Sequence, residues 1–101
     1  MIDRDFFLGF IKIHILYHAL KGPIFGAEMA KELSRHGYTI SPGTLYPTLH
    51  RMEKDGFLQS KSTVVGGRVR KYYRITANGK RVLENSKSRI RELVDEVLKE
   101  T

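Results

Sequence analysis

The sequence contains no cysteine. Disulfides, thiolate metal sites and a cysteine nucleophile are therefore excluded together, and the chain suits a reducing cytoplasm. It also lacks a long apolar run. The longest, Phe6 to Ile11, ends at Lys12, far short of the ~20 residues a membrane-spanning helix needs. Asp3 and Asp5 beside it argue against a signal peptide, so neither export nor a membrane partner is expected. Repeats, low-complexity tracts and Pro/Ser-rich linkers are missing, and 101 residues are too few for two independent cores. One domain over 1–101 is expected. One segment, 56–83, has no acidic residue at all.

That last absence has a positive counterpart. The same segment holds Lys61, Arg68, Arg70, Lys71, Arg74, Lys80 and Arg81, and it carries the whole formal charge of +7, because charges nearly cancel on either side of it. A basic block on an otherwise neutral chain marks a face for a polyanion, although a solvated basic hairpin has the same charge. Hydrophobic residues make up 41% of the chain, enough to build a core. A domain of this mass buries only about two-thirds of its unfolded surface, so self-association would add needed burial.

Helical periodicity dominates the first half of the chain. Asp3 is a candidate N-cap for a helix over about 3–21, in which Phe6, Phe10, Ile13, Tyr17 and Leu20 recur at helical spacing until Lys21-Gly22-Pro23 breaks it. Phe7, Leu8, Ile11 and Ile15 lie off that stripe, leaving more apolar surface than one core face uses. A second helix spans about Phe25 to His36, with Met29 and Leu33 inward and Gly37 at the C′ position. A third starts at Ser41 as N-cap with Pro42 in its first turn and ends at Asp55-Gly56. Pro47 inside it removes a backbone hydrogen bond, so a kink or loosened first turn is expected.

A β signal follows. Phe57 to Val65 and Arg68 to Ile75 are rich in β-branched and aromatic residues and flank Gly66-Gly67, a dipeptide suited to a two-residue hairpin turn. Thr76 can cap a last helix over about 77–100, with a stripe of Leu83, Ile90, Leu93, Val94 and Val97. Such a terminal helix commonly packs on another helix. The fold class is mainly α with a β-hairpin: a winged helix-turn-helix of three helices, a two-stranded wing and a C-terminal helix. Phe6, Phe7, Phe10, Ile11, Ile90, Leu93, Val94 and Val97 are the candidate dimer interface.

On a wheel at about 100° per residue, Leu45, Leu49 and Met52 fall together as the inward face of the third helix. Gly43, Pro47, His50, Arg51 and Lys54 then face outward, flanked by Thr44 and Tyr46. Small residues first and basic ones later suit insertion into a DNA major groove. The free amides at the Ser41 end favour a phosphate. Lys61, Arg68, Arg70 and Lys71 supply wing contacts to phosphates or a minor groove. The plainer account is that Tyr46 covers the hairpin and that Arg51 or Lys54 pairs with Asp55 or Glu53 in solvent.

The run Ser41-Pro42-Gly43-Thr44-Leu45-Tyr46-Pro47-Thr48-Leu49-His50-Arg51-Met52-Glu53-Lys54-Asp55-Gly56-Phe57-Leu58 resembles the recognition-helix signature of PadR-like transcriptional regulators. The run Arg70-Lys71-Tyr72-Tyr73-Arg74-Ile75-Thr76-Ala77-Asn78-Gly79 is similar to that family's motif from wing to last helix. The resemblance extends over nearly the whole chain and fits the compact members with one C-terminal helix. It implies a winged-helix homodimer, joined through its first and last helices, that binds double-stranded DNA at a palindromic operator and usually represses. Carried over, Thr44, Tyr46 and Pro47 fall in the DNA-facing turn and the hairpin basics become wing contacts. Members often release DNA when a small hydrophobic or aromatic effector binds. This chain has no tryptophan, so the stacked-indole drug pocket of some compact relatives is missing. Met52 stands where leucine is usual, a swap that alters packing little.

Catalysis finds no support. His14 and His18 have the i, i+4 spacing of metal ligands, but no third ligand accompanies them in sequence, so they read as surface or interface histidines and no metal or cofactor is expected. Asn78-Gly79-Lys80 lacks the upstream glycine of a phosphate loop and reads as the first turn of a helix. Serine, histidine and aspartate match no nucleophile motif. Two rival readings stand beside a DNA-binding regulator: a winged-helix module that binds protein or RNA without reading a DNA sequence, and a small-molecule sensor or carrier.

Overall fold

The computed structural model describes residues 4–99; the Asp3 cap and the end of the last helix at residue 100 lie outside them. Helix α1 spans Arg4–Leu20, a short strand β1 Ile24–Phe25, helix α2 Gly26–Arg35 and helix α3 Pro42–Lys54. Strands β2 (Leu58–Val65) and β3 (Arg68–Ile75) form the hairpin, and helix α4 (Ala77–Leu93) runs into a π-helical turn over Val94–Leu98. No helix among the described residues is long and apolar enough to cross a membrane.

Local chemistry accounts for the boundaries. At the end of α2, Tyr38 N–H donates to the Leu33 carbonyl at 3.0 Å and Gly37 N–H to that of Ser34 at 3.0 Å. Gly37 has φ +87°, the left-handed conformation that this termination requires. Gly66 and Gly67 both have positive φ, 58° and 78°, and β2 pairs with β3 so that Val65 faces Arg68, the geometry of a type I′ turn. Thr76 caps α4: its hydroxyl accepts from Gly79 N–H at 2.9 Å and donates to the Gly56 carbonyl at 2.6 Å. Gly79 is needed there for space, since a Cβ would collide with the Phe57 carbonyl oxygen and lie 2.7 Å from Ile75 Cγ1.

The hairpin is two strands of a three-stranded antiparallel sheet in the order β1-β3-β2. Two residues, Ile24 and Phe25, pair with Tyr73 and Tyr72. A strand this short leaves no alternating pattern to read. Phe25 also begins α2, where its N–H donates to the Glu28 carboxylate at 3.0 Å.

The core joins Ile11, Ile15, Leu16 and Ala19 of α1 to Met29 and Leu33, to Leu45, Leu49 and Met52, and to Leu58, Tyr73 and Leu83. Each large aliphatic side chain here contributes about 1.5–3 kcal/mol through burial. Of the two apolar sets on α1, Ile15 is fully buried, whereas Phe6, Phe10, Tyr17 and Leu20 are exposed. With apolar residues on two sides, α1 has no single preferred face by periodicity, and tertiary packing chose the smaller aliphatic set. Ile11, expected at the dimer surface, is 6% exposed and serves the protomer's own core. The paired histidines differ from expectation too. His18 is buried, and a third histidine, His36 at the C-terminal cap of α2, lies beside it and His14.

Candidate nucleic-acid interface

Helix α3 is amphipathic in space as in sequence. Leu45, Leu49 and Met52 are at most 2% exposed, while Gly43, Tyr46, Pro47, His50, Arg51 and Lys54 are exposed and Thr44 is half-buried. The helix continues unbroken through Pro47. Thr48, buried on the inward side, donates its hydroxyl to the Thr44 carbonyl at 2.7 Å. Its need for a partner is thus met locally.

The start of α3 departs from the sequence reading in one detail. Ser41 is the N-cap but its side chain caps no amide; its hydroxyl lies 3.2 Å from Thr44 Oγ1. Pro42 has no N–H, and Thr44 N–H donates to the Ser41 carbonyl at 3.0 Å, so it is the Gly43 amide at this positive end of the helix that an anion would meet. Arg4 reaches the same point from α1, donating to Thr44 Oγ1 at 3.2 Å. Sequence reasoning missed Arg4, because a basic residue 40 positions upstream gives no periodic signal of proximity.

Tyr46 is 46% exposed and packs against the first turn of α2. A Cβ on Gly26 would lie 2.6 Å from its ring, so the absence of a side chain at Gly26 seats the tyrosine. At the far end of α3, Glu53 accepts from Ser60 N–H at 3.2 Å and from Ser60 Oγ at 2.6 Å. It thereby fastens the helix to the wing. Burial, with Glu53 and Tyr46 beside it, pushes the Tyr73 hydroxyl above its usual pKa. Arg51 approaches Asp55 at 3.9 Å between exposed side chains, a pair of little energetic weight.

The wing basics do not form a single row. Residues facing one another across β2 and β3 share a side of the sheet. Val65 faces Arg68, Thr63 faces Arg70 and Lys61 faces Tyr72, which puts Lys61, Arg68 and Arg70 on one side. Lys71 faces Ser62, on the other. Arg70 is half-buried, with its guanidinium 4.4 Å from the centre of the Phe25 ring, so part of its role is to hold β1 to the wing. Arg68 stands exposed beside the turn.

The candidate dimer residues also divide. Phe6 and Phe10, with ring centroids 5.1 Å apart, line an apolar groove together with Ile13 and with Ile90 and Leu93 of α4. Phe7 instead lines a separate hollow with Arg4, Tyr38, Ile40 and Thr44. Val97 is exposed and Val94 half-buried in the π-helical turn.

A helix-turn-helix (α2 and α3) followed by a basic two-stranded wing defines the winged-helix class of nucleic-acid-binding folds. The family model for the transcriptional regulator PadR-like family matches residues 15–85, and the chain belongs to that family, whose members are regulators of transcription rather than enzymes. It is similar to the transcriptional regulator Rv3488 of Mycobacterium tuberculosis, with 50% identity over 94% of this chain and 89% of that protein. Among solved structures, a PadR family transcriptional regulator from Eggerthella lenta superposes with a TM-score of 0.81 at 37% identity, over 90% of this chain and 80% of that one. Bacillus subtilis PadR, solved in complex with operator DNA, shares the fold, with a TM-score of 0.68 at 24% identity over 74% of this chain and 45% of that one.

Proposed function

We propose that the protein is a cytoplasmic, homodimeric repressor that reads a palindromic DNA operator. The observation that carries this reading is the uncovered outer face of α3, where Gly43, Thr44, Tyr46, Pro47, His50 and Arg51 adjoin a wing without acidic residues. The operator complex of the Bacillus subtilis relative supports it at the level of the fold. In this reading α3 enters the major groove and reads bases, while Ser41 and the wing residues Lys61, Arg68, Arg70 and Lys71 hold the backbone.

Homodimerisation is supported by the apolar surface that the protomer leaves open. Phe10 is 39%, Ile90 38% and Leu93 56% exposed, and together with Phe6 they border a groove of about 310 Å³ between α1 and α4. A second copy would cover it, extending to Phe7, Val94 and Val97. A small hydrophobic effector would enter at the same place and shift the spacing of the two recognition helices. Two-fold symmetry then sets half-site centres one helical turn of DNA apart, about 34–36 Å.

The test is an anisotropy titration against DNA from upstream of the protein's own gene, with random DNA as competitor, at two salt concentrations. Specific operators are bound ~10³–10⁷ times more tightly than random DNA, and a ratio in that range is expected. Binding that is equal for both DNAs and erased by salt would overturn the reading in favour of a module serving another polyanion. Arg68→Ala is expected to weaken binding to every sequence and reduce the salt slope by about one unit. Sedimentation of a monomer at micromolar concentration would refute the dimer.

A further inference from the structure

Three of the four histidines converge at one place that the DNA-binding reading does not use. His14 and His18 stand one turn apart on α1, and His36 comes from the C-terminal cap of α2. A ring nitrogen of each lies within 4.8 Å of the others. The His14 and His36 rings stack with centroids 4.7 Å apart, and those of His18 and His36 with centroids 5.7 Å apart.

The least comfortable member is His18. Its side chain is nine-tenths buried, and its Nε2 has no hydrogen-bond partner among the described residues. A polar atom left in that state costs about 1–3 kcal/mol. Protonation offers little relief. Burial pulls the pKa of both His14 and His18 below the usual imidazole value, and the nearby His36 adds to the effect in both. For His18, Lys21 and Arg35 act in the same direction, while Glu32 opposes them. Neutral imidazoles with free nitrogen lone pairs are what remain at neutral pH, and these are the metal-ligating form of histidine.

We propose that His14, His18 and His36 form a binding site for a divalent transition-metal ion of the zinc type. Three imidazoles without thiolates match the ligand set of an open zinc site, in which a fourth position is left to solvent. All-nitrogen donors disfavour the hard ions magnesium and calcium. Ring nitrogens around a tetrahedral zinc are about 3.3 Å apart, so nitrogens now within 4.8 Å of one another need to close by up to about 1.5 Å. His36 is exposed and has room to make that movement. A pocket lined by Tyr17, His18, Glu32 and His36 opens beside the cluster, giving an ion a route in from solvent. Bound there, the ion would satisfy His18 Nε2 and tie α1 to the residue that begins the turn into α3.

The experiment is a titration of Zn²⁺ alone into the chelator-treated full chain by calorimetry, paired with Co²⁺ as a spectroscopic probe. No DNA is present, so the result is independent of the operator reading. One ion per chain and the visible absorption of nitrogen-ligated Co²⁺ are expected. His36→Ala, at an exposed position outside the core, is expected to keep the circular dichroism spectrum and lose roughly a hundredfold in Zn²⁺ affinity, at least what the loss of an outer-shell partner costs. His14→Ala is expected to do the same. Absence of binding, or weak binding of several ions that both variants retain, would overturn the proposal.

Discussion

Helices α3 and α4 carry apolar stripes of the same helical period and meet opposite surroundings. In α3, Leu45, Leu49 and Met52 are all at most 2% exposed. In α4 the buried residues are Gly79 and Leu83, and beyond them Ile90, Leu93 and, in the following turn, Val97 stay open to solvent. Periodicity records that a face is to be covered; it does not record by what. The α3 stripe is covered by the protomer's own α1, α2 and sheet, and its polar back is thereby presented outward. The α4 stripe extends past the end of the protomer's core and stays open, and it is this surface that the proposed dimer would cover.

The largest effect is expected at Leu49. Leu49→Ala removes a fully buried side chain and is expected to lower the unfolding free energy by about 2–5 kcal/mol, measured by urea denaturation. A loss below 1 kcal/mol would mean that the α3 stripe is not packed in the core. Thr76→Ala removes the cap that starts α4 and should cost about 1 kcal/mol in the same assay. Acidification tests a region to which neither stripe belongs. His14 and His18 have lowered pKa values in the folded chain, so the unfolded chain binds more protons below pH ~6.5. Their contribution is fully present above that pH and is lost as pH falls through the folded values. The thermal midpoint is expected to drop on going from pH 7.5 to 5, and His18→Gln to flatten that dependence; an unchanged slope would refute the assignment. The smallest effect belongs to Leu93→Ala, expected to alter protomer stability by no more than ~0.5 kcal/mol. Under the homodimer proposal a further loss that varies with protein concentration is expected on top of this, and a change independent of concentration would count against a second copy at Leu93.

Legibility followed the range of the interactions involved. Gly37, Gly66-Gly67, Pro42 and the Thr76 cap each act within a few residues of themselves and sit where their local chemistry predicts, and Ser41 takes the N-cap position although its side chain caps no amide. The inward face of α3 was equally plain, because Leu45, Leu49 and Met52 have no apolar competitor across the helix. Helix α1 has such a competitor, and there periodicity does not choose between the two faces. Contacts between distant segments left no trace in the sequence: β1 on β3, Arg4 on Thr44, Gly26 beneath Tyr46, and His36 beside His14 and His18. Each is a product of how the helices pack, and no spacing rule connects the partners.

The tight seat of Gly79 against Phe57 and Ile75 gives α4 the character of a lever with a fixed pivot. At 1.5 Å per residue its 17 residues reach roughly 25 Å. A tilt of about 10° at the pivot would swing the far end by roughly 4 Å. By denying a methyl group its place at the hinge, the fold holds the angle between lever and sheet constant, and with it the pitch at which anything mounted on the lever's tip faces the wing.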